Sequence, residues 1–336
     1  MTEAAAQAQV LRAPFPWFGG KSRVAQLVWE RFGDVPNYVE PFAGSLAVLL
    51  GRPHAPKTET VNDLDCYLAN FWRAVRFDPA GVAWWADAPV NEADLQARHL
   101  WLVNDGRTIA DRCKDDPDFF DPRVAGWWVW GLCSWIGSGW CSGKGPWKGS
   151  TGAGVRHKLP HLGDAGRGIN RQLPHLGDAG RGESYRAMVG MLDQLSARLR
   201  RVRVACGDWT RVLGDSVTVK HGATGVLLDP PYASDQHAIS YSAGGESISA
   251  GVRAWALARG DDPGLRIALC GYEGEHEALE RSGWTVVAWK ARGGYGSQGV
   301  NRGRDNAARE RVWFSPHCIA PHRVAMDLFH SGGNTL

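Results

Sequence analysis

Gly225-Val226-Leu227-Leu228-Asp229-Pro230-Pro231-Tyr232 is an apolar run that ends on an acid, two prolines and a ring. A short continuous apolar run that stops at prolines reads as a buried strand of a parallel sheet. Ligands of open α/β sheets bind beyond the carboxyl ends of such strands, which is where Asp229 to Tyr232 would stand. The residue types suit transfer of a methyl group to an amine on a planar base. The lone pair of such an amine is delocalised into its ring, so the nitrogen is a poor nucleophile. A carboxylate (Asp229) and a backbone carbonyl (Pro230) can each accept one N–H, drawing the nitrogen toward tetrahedral geometry and stabilising its developing charge. Pro231 stiffens the turn, and Tyr232 offers a face for stacking.

Four further stretches flank this one in a fixed order. Pro16-Trp17-Phe18-Gly19-Gly20-Lys21 lies near the N-terminus, and Tyr38-Val39-Glu40-Pro41-Phe42-Ala43-Gly44-Ser45 runs from a strand into a small-residue turn. Val61-Asn62-Asp63-Leu64-Asp65 ends the next strand, and Cys206-Gly207-Asp208-Trp209 closes another. With these motifs, residues 14 to 76 and 184 to 316 resemble the Dam-like (D12 class, alpha group) DNA adenine-N6 methyltransferases; residues 77 to 183 do so poorly.

The resemblance implies an α/β fold, a Rossmann-like methyltransferase sheet with an inserted target-recognition region. It implies S-adenosylmethionine as cofactor, double-stranded DNA as partner, and cofactor roles for Trp17, Lys21, Asp63 and Asp229. Gly44 permits close backbone approach to the amino-acid end of the cofactor. Asp63, at a strand end, suits the ribose hydroxyls, and helix capping is its plainer use. Asp208 is placed to accept from the adenine amine, with Trp209 or Phe42 against the ring. The target base would be flipped out of the duplex before Asp229 and Pro230 receive its N6 amine and Tyr232 stacks on it. Cytosine N4, RNA adenine, a glutamine amide and a catalytically silent DNA-binding protein are the alternatives. Asp229 favours adenine, because Ser or Asn stands there more often in enzymes for the other acceptors.

The expected division is a disordered tail over 1–13, a catalytic domain over 14–79 and 184–318, an inserted DNA-recognition region over 80–183, and a flexible tail over 319–336. The insert holds six tryptophans between 127 and 147, and the first three (Trp127, Trp128, Trp130) read as core packing. It also holds Leu159-Pro160-His161-Leu162-Gly163-Asp164-Ala165-Gly166-Arg167-Gly168, repeated identically at 173–182. Residues 144–203 carry twelve Lys or Arg against four Asp or Glu, an excess of eight, so the remainder of this +3 chain carries −5. That block suggests a polyanion surface, with Lys144, Arg156, Lys158, Arg167, Arg171 and Arg181 as candidate DNA contacts. Seven cysteines without Cys-x-x-Cys spacing read as reduced packing residues. No catalytic metal is expected. No apolar run is long enough to span a bilayer and no secretory signal is present, so a cytoplasmic monomer is the expectation.

Overall fold

The computed structural model describes residues 11–15, 17, 20–116, 118–134, 140–141, 184–232, 248–289 and 308–320. Seven strands form one sheet: β1 (Asn37–Glu40), β2 (Thr58–Asp63), β3 (Val202–Cys206), β4 (Thr224–Leu228), β5 (Leu265–Tyr272), β6 (Thr285–Ala288) and β7 (Glu310–Phe314). Their spatial order is β3-β2-β1-β4-β5-β7-β6, parallel except for β7, which runs antiparallel to both neighbours. The chain builds outward from β1 in one direction and from β4 in the other. The point where the strand order reverses therefore lies between β1 and β4, at the end that carries Asp229. This is the mixed α/β, doubly wound sheet expected from the sequence.

Strand alternation explains why both faces are covered. Tyr38 of β1, Leu227 of β4 and Ala268 and Cys270 of β5 enter one core, while Val39, Val226, Leu228, Ile267 and Leu269 enter the other. The second face is closed by α9 (Ile248–Arg259) and the single turn α10 (Glu277–Glu280), through Val252, Ala256 and Leu279. The first face is thicker. Here α1 (Ala25–Phe32), α2 (Ala47–Leu50), α3 (Cys66–Phe77) and α8 (Ser184–Leu199) lie on the sheet side, and their Val28, Val48, Phe71 and Leu195 are buried.

Residues 79–134, which show little regular pattern in sequence, are helical: α4 (Pro79–Ala86), α5 (Glu92–Asn104), α6 (Thr108–Asp115) and α7 (Pro122–Ser134). α4 and α7 are apolar on nearly every side, so they carry no amphipathic period. They pack on each other and on α3 and α8, and Val82, Ala83, Trp128 and Val129 share the core of the sheet's own helices. Gly126 is what permits the close approach, since a β-carbon there would lie 2.4 Å from Cβ of Trp85. Trp128 and Trp130 are buried, in agreement with the packing role expected for them, and the Trp130 indole donates to the Ala88 carbonyl at 2.9 Å. Among the described residues no helix is long and apolar enough to cross a membrane.

The chain's return from the insert is locked by charge. Glu59 of β2 is fully buried and receives two bonds from Arg198 of α8, at 2.6 and 2.9 Å, and one from Arg52 at 3.2 Å. Arg198, part of the basic block in sequence, is thus spent on the core. Removing Glu59 would leave the Arg198 guanidinium without its anion and Arg52 with Asp34 alone, at 3.4 Å. Glu59→Ala is expected to destabilise the fold by about 3–5 kcal/mol, read by urea unfolding; a loss under about 1 kcal/mol would show that the cluster behaves as a surface pair.

Candidate active site

Lys21 and Asp229 meet at the β1/β4 reversal. Lys21 lies in the turn that starts α1, its carbonyl accepting from the N–H groups of Val24 and Ala25. Asp229 follows the last residue of β4. Lys21 Nζ is 2.9 Å from Asp229 Oδ1, with only 5% of the lysine side chain and 21% of the aspartate exposed. The ammonium lies 5.3 Å from the Tyr232 ring and 5.5 Å from the Trp289 ring. Burial works to lower the Lys21 pKa, but Asp229 and Glu310 outweigh it and hold it above its ordinary value. Burial pushes the Asp229 carboxyl up, and Lys21 opposes that rise. The carboxyl stays above its ordinary range, and Lys21 is what favours its ionised form.

The two oxygens of Asp229 are not equivalent. Oδ1 takes Lys21 and lies 3.4 Å from the Tyr232 hydroxyl, whereas Oδ2 makes no hydrogen bond among the described residues. The Tyr232 hydroxyl donates to Glu310 Oε2 at 2.8 Å, and its buried ring meets Tyr272 edge-on at 4.5 Å. In this arrangement Tyr232 anchors the turn by both its ring and its hydroxyl. Glu310, the first residue of β7, had no signal in the sequence beyond an acid at a strand start.

Asp63 organises the other half of the site. Its Oδ2 accepts from the Gly44 N–H and its Oδ1 from the Asp65 N–H, both at 3.0 Å. The cap of α3 is Asp65, which accepts from Tyr67 and Leu68, so Asp63 is released from capping. Leu64 precedes that helix and is exposed. The Leu64 N–H also bonds this carboxylate; a carboxylate has about four acceptor positions, so Asp63 retains room for one further donor. Gly44 has a φ of +46°, and a β-carbon there would fall 2.5 Å from the Trp17 indole nitrogen. Trp17 is held over this turn by Phe15 and Trp128, whose rings lie 5.9 and 6.2 Å away. Phe42 and Trp209 stack at 6.1 Å with 26° between planes, and the exposed Asp208 caps the turn that carries Trp209. The fold thus brings Trp17, Lys21, Phe42, Gly44, Asp63, Asp208, Asp229, Pro230 and Tyr232 to one end of the sheet. Lys144, Arg156, Lys158, Arg167, Arg171 and Arg181, with the repeated decapeptide, lie outside the described residues.

Residues 17–91 match the family model for D12 class N6 adenine-specific DNA methyltransferases. The D12 resemblance stands. The match supports a DNA adenine methyltransferase, and its span holds Trp17, Lys21, Phe42, Gly44 and Asp63. Asp208 and Asp229 lie downstream of it and join those residues through the strand order. No curated protein matches the chain.

Glu40, at the end of β1, completes the acidic lining and also escaped the sequence motifs as a site residue. It is buried and accepts from the Tyr38 hydroxyl at 3.0 Å. Burial, with Asp229 and Asp63 nearby, raises its pKa from 4.5 to about 8. Between those values the unfolded chain has released this proton and the folded chain retains it. Its contribution to stability is therefore full below pH 4.5 and is lost as the pH rises through about 8. Glu40→Gln is expected to be close to the parent protein in stability at pH 5 and to gain on it at pH 9, measured by urea unfolding. An equal difference at both pH values would contradict the buried, protonated state.

Proposed function

We propose that the site transfers the methyl group of S-adenosylmethionine to the N6 amine of an adenine flipped out of duplex DNA. The observation that carries this reading is the pair of acceptors at the β4 end: Lys21 pairs with Asp229 Oδ1 while Oδ2 faces no protein donor among the described residues. Oδ2 and the Pro230 carbonyl would receive the two amine hydrogens, leaving the nitrogen lone pair directed at the methyl donor.

The same pocket fits the donor's chemistry. The cofactor supplies an electrophilic methyl on a cationic sulfur. Against the one ammonium of Lys21 stand Asp229, Glu310 and Asp63, an excess of negative charge that suits a cation. Gly44 lets Trp17 lie directly on its turn, Asp63 offers a remaining acceptor position to a ribose hydroxyl, and Asp208 with the Phe42–Trp209 stack is suited to the adenine end. Transfer would be an in-line displacement with no covalent enzyme intermediate.

Residues 80–183 would carry sequence recognition, with Lys144, Arg156, Lys158, Arg167, Arg171 and Arg181 on DNA phosphates or base edges. Because Tyr232 is buried against Tyr272, stacking on the flipped base would require its ring to be uncovered. Trp289, partly buried and placed over Lys21, is the other ring at this position.

Asp229→Ala is expected to reduce labelled methyl transfer to duplex DNA to no more than a few per cent of the parent rate, in a fold destabilised by the Lys21 ammonium left without its partner. Asp63→Ala should mainly weaken cofactor binding, by about 1–3 kcal/mol in calorimetry. Substantial transfer by Asp229→Ala, with the label still on adenine, would remove Asp229 from the reaction.

A further inference from the structure

Two cysteines that are 140 residues apart in sequence meet at the edge of this site. Cys66 Sγ and Cys206 Sγ lie 3.3 Å apart, closer than unbonded sulfurs usually settle, and both residues are partly exposed. Cys206 is the last residue of β3 and the register partner of Asp63. Cys66 is the first residue of α3, directly after the capping Asp65. A helix N-terminus favours a thiolate. Cys206, bonded to Cys66 and partly buried, holds its proton well above the usual thiol range. Either thiol can donate to the other, and the place of Cys66 at the helix N-terminus makes it the attacking sulfur in the step below. Three other cysteines (Cys113, Cys133 and Cys270) are buried.

We propose that Cys66 and Cys206 form a peroxide-driven disulfide that weakens cofactor binding, a redox site on the wall of the proposed S-adenosylmethionine cradle. In the first step the Cys66 sulfur attacks one peroxide oxygen; the O–O bond breaks, a sulfenic acid forms, and the leaving hydroxide takes the Cys66 thiol proton as water. In the second the Cys206 sulfur attacks Cys66; the S–S bond forms, the S–O bond breaks, and the departing hydroxide takes the Cys206 proton as a second water. Two thiols are oxidised by two electrons and one peroxide is reduced to two waters.

The location gives this step a consequence. A disulfide of about 2.0 Å draws the sulfurs together by roughly 1.3 Å. Cys206 precedes Gly207, whose N–H donates to the Asp63 carbonyl and whose carbonyl accepts from Asn62. Cys66 follows Asp65, whose N–H holds Asp63 Oδ1. Closing the sulfurs pulls on the supports of Asp63 from two sides and shifts the turn bearing Asp208. The effect on affinity rests on the reading that Asp63 and Asp208 face the cofactor.

The test treats the full chain with hydrogen peroxide, maps disulfides by mass spectrometry of non-reduced peptides, and measures S-adenosylmethionine binding by calorimetry. A Cys66–Cys206 linked peptide is expected, with affinity at least about fivefold weaker, the low end of coupling between two sites, and recovery with dithiothreitol. Cys66→Ser and Cys206→Ser should keep their affinity through the same treatment. Saturating cofactor should slow formation of the link. Absence of the linked peptide would overturn the proposal, and so would a linked protein that binds the cofactor as well as the reduced one. If reduced protein bound no cofactor at all, the cradle reading would fail, while the peptide map would still decide whether the pair oxidises.

Discussion

The ion pair between Lys21 and Asp229 is the constraint around which the rest is arranged. A lysine buried to this degree must have an anion, and a carboxylate in the same position must have a cation, or both shift toward neutrality. Meeting that requirement joins the first turn of the chain to the end of β4, more than two hundred residues later. The rings of Tyr232 and Trp289 flank the ammonium, and Glu310 holds Tyr232, so β7 is drawn into the same arrangement. The result is a carboxylate with one oxygen committed to the protein and the other facing no protein donor among the described residues.

The remainder of the site is backbone held by side chains at the strand ends. The Asn62 amide donates to the carbonyls of Pro41 and Gly207, so it ties the ends of β1 and β3 across β2. Asp63 fastens the Gly44 turn to the start of α3. Leu46, two residues on, has φ 58°, a left-handed conformation that costs a non-glycine residue about 1–2 kcal/mol, and it is fully buried, so packing imposes it. The thick helical layer explains how Trp17 reaches this turn. Phe15 is wedged between Phe71, Trp72 and Trp128, which fixes the N-terminal segment on α3 and α7.

Local signals carried much of this. β4 with its acidic turn and the strands that end at Asp63 and Cys206 were legible because apolar runs and turn residues act over a few positions. The helices of residues 79–134 were not. α7 is buried on most sides and α4 turns the apolar Trp84 and Trp85 toward solvent, so neither helix sets an apolar face against a polar one. Glu40, Glu310 and the Cys66–Cys206 contact were illegible for another reason: each acquires its role from a residue on a different strand or helix. Asp63 and Asp65 show the limit of spacing arguments, since either suits a helix cap and only the hydrogen bonds assign that task to Asp65.

The central claim is that this chain methylates adenine in DNA at the end of β4. The direct measurement incubates the purified protein with duplex DNA and S-adenosylmethionine labelled in its methyl group, digests the DNA to nucleosides and identifies the labelled product by mass spectrometry. Label in N6-methyladenine is the expected result. Label in N4-methylcytosine, or binding of cofactor and DNA with no label in any nucleoside, would contradict the account.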